Sequence, residues 1–424
     1  MIKIMDIDKV SSDEIFARAE GINDVGETVS AIIEDVKLRK DKALIEYAEK
    51  FDRARLDSLE VSEKEIAEAK ASVSPELIKI MEKAAENIRE FHSRQVRNSF
   101  ILNDKKGVLT GQKVMPLDSV GLYVPGGTAA YPSSVLMNCI PAKIAGVKRI
   151  VITTPATNGR INPVILAAAS IAGADKIYKT GGAQAVAALA YGTETIQKVD
   201  KIVGPGNAYV AEAKRQVFGK VAIDMIAGPS EILIVADENS NPVNVAADLL
   251  SQAEHDKLAS AVLITPSKKL ALDVSDELER QIPLLEREDF ARASIDNNGK
   301  IIICPTIEKA IEISNEIAPE HLELCLDKPF DYIDSVRHAG SVFMGRYCPE
   351  ALGDYFSGAN HTLPTSGTAR FSSPLSVDDF VKKMQYTYYS EDAFKNVYRD
   401  VADFATAEGL TAHAKSALVR FEEI

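Results

Sequence analysis

The chain has 424 residues, more than one hydrophobic core ordinarily serves, so two or more domains are expected. With 46% hydrophobic and 26% charged residues it reads as an ordinary water-soluble protein, and no apolar run is long enough to span a bilayer. A net charge of −13 lacks the basic footprint that a nucleic-acid partner requires and favours a small or cationic substrate.

The opening stretch, "MIKIMDIDKVSSDEIF", has neither the basic head nor the apolar middle of a secretory signal, so a cytoplasmic setting is expected. Residues 1 to about 115 read as mostly helical, with amphipathic segments such as "EIAEAKASVSPELIKIMEKAAENIREFHSRQ". From "PLDSVGLYVPGG" onward, the short β-rich runs "VGLYV", "RIVITT", "KIYKT", "KIVG" and "VAIDMI" alternate with helical segments. That alternation predicts crossover units and a mainly parallel sheet with helices on both faces. A second α/β stretch follows, with "EILIVAD", "SAVLITP", "GKIIICP" and "GSVFMG" as strands. Between its first two strands, Asn241 and Pro242 predict the start of a helix running to about His255. After "FSSPLSVDDF", a plausible domain boundary, the chain reads as helical to its end, and no sequence repeat is visible.

The four cysteines (Cys139, Cys304, Cys325, Cys348) show no metal spacing and are read as reduced core thiols. Of the six histidines, His92 and His338 read as structural or surface residues. His255, His321, His361 and His413 stand in polar settings. With Asp354 they suit a zinc-type ion, and hydrogen-bonded structural histidines are the alternative. Gln252 and His255, three apart, share a helix face. Glu320 and His321, adjacent in "APEHLEL", can exchange protons near neutral pH if burial raises the carboxylate, or else form a solvent-facing helix end. The glycine-rich segments "VPGGTAAYPSS", "KTGGAQA" and "VGPGNAYV" each follow a strand and precede a helix, where phosphate is received, although tight turns alone would also explain them. No P-loop is present, and Tyr209 stands where a dinucleotide fingerprint wants its third glycine.

Taken in order, "GLYVPGGTAAYPSSVLMN", "GGAQAVAALAYGTET", "DKIVGPGNAYVAEAKRQV", "DMIAGPSEILIVAD", "LLSQAEH", "APEHLEL", "LGDYFSGANHTLPT", "GTARF" and "EGLTAHAKS" closely resemble the histidinol dehydrogenase family, from roughly residue 25 onward. The resemblance implies a zinc- and NAD-dependent four-electron oxidation of L-histidinol to L-histidine through bound histidinal. By position, Gln252, His255, Asp354 and His413 match the family's metal ligands, and Glu320 and His321 its acid/base pair. Tyr123, Gln184 and Asn207 match NAD contacts. Ser230, His361 and Glu408 match substrate contacts, as do Gln252, His255, His321, Asp354 and His413. The implied fold is α/β: two incomplete Rossmann-like doubly wound domains, one discontinuous over 21–122 and 236–375 and the other over 123–235. Helical segments at 1–20 and 376–424 flank them, the latter reaching the partner subunit of an intertwined homodimer. The rivals are a zinc hydrolase, which would need no NAD, and a non-catalytic metabolite-binding protein.

Overall fold

A computed structural model describes residues 1–17, 25–126 and 130–423. The chain divides into two compact units, one of Met1–Gln95 with Leu117–Phe380 and one of Val96–Pro116 with Val381–Ile424. In chain order the strands are β1 (Lys3–Asp6), β2 (Phe100–Leu102), β3 (Val108–Pro116), β4 (Ser119–Tyr123), β5 (Arg149–Thr154), β6 (Lys176–Lys179) and β7 (Lys201–Val203). They continue as β8 (Ala222–Ile223), β9 (Glu231–Ala236), β10 (Ser260–Thr265), β11 (Lys300–Ile303), β12 (His321–Cys325), β13 (Ser341–Met344) and β14 (Val381–Tyr389).

Every residue of β4, β9 and β12 is buried; β9 is accordingly a near-continuous apolar run, whereas β12, "HLELC", buries His321 and Glu323 through contacts with neighbouring polar groups. Each buried Ile, Leu or Val contributes roughly 1.5–3 kcal/mol, enough to commit these runs to sheet interiors. The first unit holds two sheets, ordered β6-β5-β4-β7-β8 and β1-β11-β10-β9-β12-β13, and all their pairings are parallel. Counted from its own first strand and leaving β1 aside, each sheet has the order 3-2-1-4-5. The helices Pro132–Ala145 and Pro163–Ala172 pack on one another, as do Gly182–Tyr191 and Ala208–Val217. With right-handed crossovers, the return past the first strand puts the second pair on the opposite face. A switch of direction therefore falls between β4 and β7 in one sheet and between β9 and β12 in the other. This topological repeat has no counterpart in the sequence.

The second unit has an antiparallel sheet, β14-β3-β2, and the helices Glu391–Lys395, Tyr398–Ala407 and Thr411–Leu418. The stretch before residue 115 is mostly helical, as read, but also contains β1, β2 and β3; the C-terminal stretch, read as helical to its end, is corrected, since it opens with the strand β14. In "VKKMQYTYY" the β-branched and aromatic residues favour a pleated strand, and the ladder with β3 joins segments some 270 positions apart, beyond any local reading. The run "VAIDMI" narrows to the two residues of β8.

Candidate active site

The helix Ile307–Ile317 ends at Ala318, in the left-handed region with φ 51°, and Pro319 prevents its continuation. The chain then enters β12, so Glu320 and His321 stand at the amino edge of the six-stranded sheet. The neighbouring strand β9 holds both: the Glu231 amide donates to Glu320 Oε2 at 2.9 Å, and the Glu231 carbonyl lies 2.9 Å from His321 Nδ1. A carbonyl only accepts, so Nδ1 donates to it, and Nε2 is the ring nitrogen turned toward the cluster. Ser230 immediately precedes β9, on the same edge.

Two carboxylates face Nε2. Glu350 and Asp354, one turn apart on the helix Glu350–Tyr355, each have an oxygen 3.8 Å from His321 Nε2. Glu350 is fixed by its own amide donating to Glu323 Oε1 at 2.7 Å and by the Ser251 hydroxyl donating to its Oε2 at 2.9 Å. Asp354 also lies 3.7 Å from His361 Nδ1, and His361 Nε2 lies 3.3 Å from the Ser134 hydroxyl. Asn241 caps the helix Pro242–Ala253 as its sequence predicts, and the helix delivers Gln252, with His255 in the turn just beyond.

Burial and mutual repulsion shape the charges. Burial pushes the Glu320 carboxyl up to about 8 against the opposing pull of His321. Burial, reinforced by Asp354, takes Glu350 up to about 7. Burial would also raise Asp354, but His321 and His361 outweigh it and hold Asp354 down at about 2. Burial pulls His321 down, yet Glu320, Asp354 and Glu350 together push it up to about 10. His255 and His361 are lowered by burial. Among the described residues, the ion pairs of Glu320, Glu350 and Asp354 are made with histidines alone.

Several buried polar atoms of the cluster have no hydrogen-bond partner: both amide atoms of Gln252, His321 Nε2 and Glu350 Oε1. The Gln252 amide lies against Glu350 without completing a bond of good geometry. Orphaned buried groups are costly, and a site this acidic with nitrogen and oxygen donors is what a divalent cation and a polar ligand would satisfy. His321, Glu350 and Asp354 bring donor atoms within 4.8 Å of one another.

The predicted nucleotide contacts gather at the carboxyl edge of the five-stranded sheet. Tyr123 ends β4, and its hydroxyl accepts from the Gly182 amide at 3.1 Å. Gln184 is buried in the first turn of the helix Gly182–Tyr191. Asn207 caps the helix Ala208–Val217 by accepting from the amides of Tyr209 and Val210. The turn before that cap is possible only with glycine: Gly204 has φ +118°, and any Cβ there would collide with the Tyr123 carbonyl oxygen. Its amide and carbonyl are tied to the buried Asp224–Lys214 ion pair. Gly127, Thr128 and Ala129 of the first glycine-rich turn lie outside the described residues. Ser134, in the first turn of the helix that follows, links this edge to the His321 cluster through His361.

Thus Ser230, Gln252, His255, Glu320, His321, Asp354 and His361 come together, and Tyr123, Gln184 and Asn207 stand on the adjoining sheet edge. Glu408 and His413 belong to the second unit, where both are exposed. Glu350, Glu323 and Ser134 escaped the sequence reading. The spacing of Glu350 and Asp354 in "PEALGDYF", four residues apart on one helical face, was the available signal for the first. All four cysteines are free thiols, and His92 is a buried structural residue bonded to Gln95.

The histidinol dehydrogenase family model matches residues 17–421. A histidinol dehydrogenase of Clostridium acetobutylicum is 57% identical over 93% of this chain and 92% of its own. One of Bacillus cereus is 54% identical over 98% of both chains. The crystal structure of histidinol dehydrogenase from Elizabethkingia anophelis superposes with a TM-score of 0.93 at 42% identity, covering 99% of this chain and 98% of that one. By sequence and by fold, the chain belongs to the histidinol dehydrogenase family of oxidoreductases.

Proposed function

We propose that the protein catalyses the NAD-dependent, zinc-requiring four-electron oxidation of L-histidinol to L-histidine through retained L-histidinal, as the last step of histidine biosynthesis. The observation that carries this reading is the His321 cluster: an imidazole nitrogen facing two carboxylates, beside orphaned amide atoms, with no lysine or arginine among their ion pairs in the described residues. The strand order 3-2-1-4-5 lends support, because it is a dinucleotide-binding order lacking its sixth strand. On this basis the two sheets are incomplete Rossmann-like domains, and NAD belongs at the β4/β7 switch, against Tyr123, Gln184 and Asn207.

Gln252, His255 and Asp354 would hold the zinc. In a homodimer, His413 from a second copy would complete the set and Glu408 would bind substrate. Zinc supplies a Lewis acid that anchors the substrate's amine and imidazole nitrogens, and NAD supplies the hydride acceptor for both oxidations. His321, neutral once a bound cation offsets the facing carboxylates, would take the hydroxyl proton on Nε2 while its Nδ1–H stays on the Glu231 carbonyl, which stops the ring from turning. Glu320, brought by burial to a proton affinity near neutrality, draws a proton from the water that adds to the aldehyde carbon. His321 returns its proton to the aldehyde oxygen as the hydrate forms, and is then free to accept a proton from the hydrate as the second hydride leaves and the carboxylate forms. Ser230 and His361 position the substrate's flanks, and the burial of Gln252, Glu320 and His321 keeps bulk water from the aldehyde.

The test is His255→Ala. Zinc per chain, by elemental analysis, falls about tenfold or more together with turnover, while the far-ultraviolet spectrum is kept. Full metal content and activity in that variant would remove the metal assignment.

A further inference from the structure

Asp52 is a carboxylate that local forces disfavour. It is the last residue of the helix Asp41–Asp52, where the negative end of the helix dipole opposes an anion. Burial opposes it as well. Among the described residues no hydrogen bond and no cation reaches its side chain, and its Oδ2 is buried without a partner. A side chain held against three unfavourable influences, with nothing among the described residues to satisfy it, is one whose partner comes from outside.

Its location indicates the partner. The Asn158 amide donates to the Asp52 carbonyl at 3.2 Å, which ties this helix end to the loop that follows β5. Asp52 also lies within electrostatic reach of Tyr123, at the carboxyl end of β4. In dinucleotide-binding folds of this strand order, an acid near the end of the second strand accepts the hydroxyls of the adenosine ribose. Here β5 is that second strand, and the loop after it, "PATNGR", contains no acid. We propose that Asp52, supplied from a separate helix, takes that place: it accepts the 2′-hydroxyl of the adenosine ribose and excludes a 2′-phosphorylated dinucleotide. The inference rests on the NAD-dependent reading above and adds the residue that selects the cofactor.

The experiment is steady-state oxidation of L-histidinol by the wild type, Asp52→Asn and Asp52→Ala, with NAD+, NADP+ and 2′-deoxy-NAD+ as cofactors. Thermal midpoints control for folding. Loss of a hydrogen bond to a charged group predicts KM for NAD+ about 10- to 100-fold higher in Asp52→Ala, with the change falling on KM rather than kcat. The wild type should penalise 2′-deoxy-NAD+ by about tenfold, and Asp52→Ala should not, because the same contact cannot be lost twice. The preference for NAD+ over NADP+ in kcat/KM should fall at least about tenfold in both variants. If folded variants keep the wild-type KM, the 2′-deoxy penalty and the preference for NAD+, the assignment of Asp52 is overturned while the NAD-dependent reading stands. A wild type that reduces no dinucleotide at all overturns that reading and this proposal with it.

Discussion

His321 is held on both sides, by a carbonyl at Nδ1 and by two carboxylates facing Nε2. His321→Asn keeps a donor for the Glu231 carbonyl but removes the basic nitrogen. Metal content and thermal midpoint should stay near wild type while kcat falls by about 10²–10⁴; a fully active variant contradicts the base assignment. Asp52 gives a prediction in the cofactor-free protein. Burial raises it from 3.8 to about 6, so the folded chain binds this proton more tightly than the unfolded chain, and stability is lost as pH rises through that window. Asp52→Asn removes the loss. In urea titrations at about pH 8 the variant should be more stable than wild type by on the order of 1 kcal/mol, the full shift being reduced by solvent screening of a half-buried group, with the gap closing below about pH 4. Equal stabilities at the higher pH would show that the carboxylate is not disfavoured. The adjacency of Glu320 and His321 was legible in the sequence because it is local. Ser134 was not, and Glu350 only through its spacing from Asp354, since what makes both notable is a neighbour more than 25 positions away.

Among the elements, the turn after β7 depends most on a single interaction. The side chains of Lys214 and Asp224 are 2% and 1% exposed, and together they bind both backbone groups of Gly204. Lys214→Met strands Asp224 as a buried, unpaired charge, at a cost of about 3–5 kcal/mol. Denaturant unfolding should record that loss, and KM for NAD+ should rise as the turn loosens. A loss under about 1 kcal/mol would show the ion pair to be dispensable. Elements built from apolar runs could be read from the sequence because burial on both faces of a parallel sheet leaves a composition signature, as in "EILIVA" and "RIVITT". β14 and β3 left no such signature. Most of β14 is exposed, and its partner lies in a distant stretch of chain.

Across the whole first unit, two sheets of one topology present opposite edges to the chemistry. The five-stranded sheet offers its carboxyl edge, with Tyr123, Gly182 and Asn207. The six-stranded sheet offers its amino edge, with Ser230, Glu320 and His321. The carboxyl edge of the latter is closed by the protein itself: Arg346 pairs with Asp237 and Asp327, and the Asp327 amide donates to Asp237. On the proposed function the open edge of one sheet would take the cofactor and the facing edge of the other would carry the catalytic residues, and the Ser134–His361 contact links the two. The sequence motifs identified the family, but no pattern along the chain could show which edge of which sheet each motif would occupy. The most direct test of the account is the NADH formed per L-histidinol consumed by purified protein, before and after chelation and zinc return. The account predicts two NADH per substrate, abolished by the chelator and restored by zinc. One NADH with free aldehyde released, or turnover indifferent to metal, would contradict it.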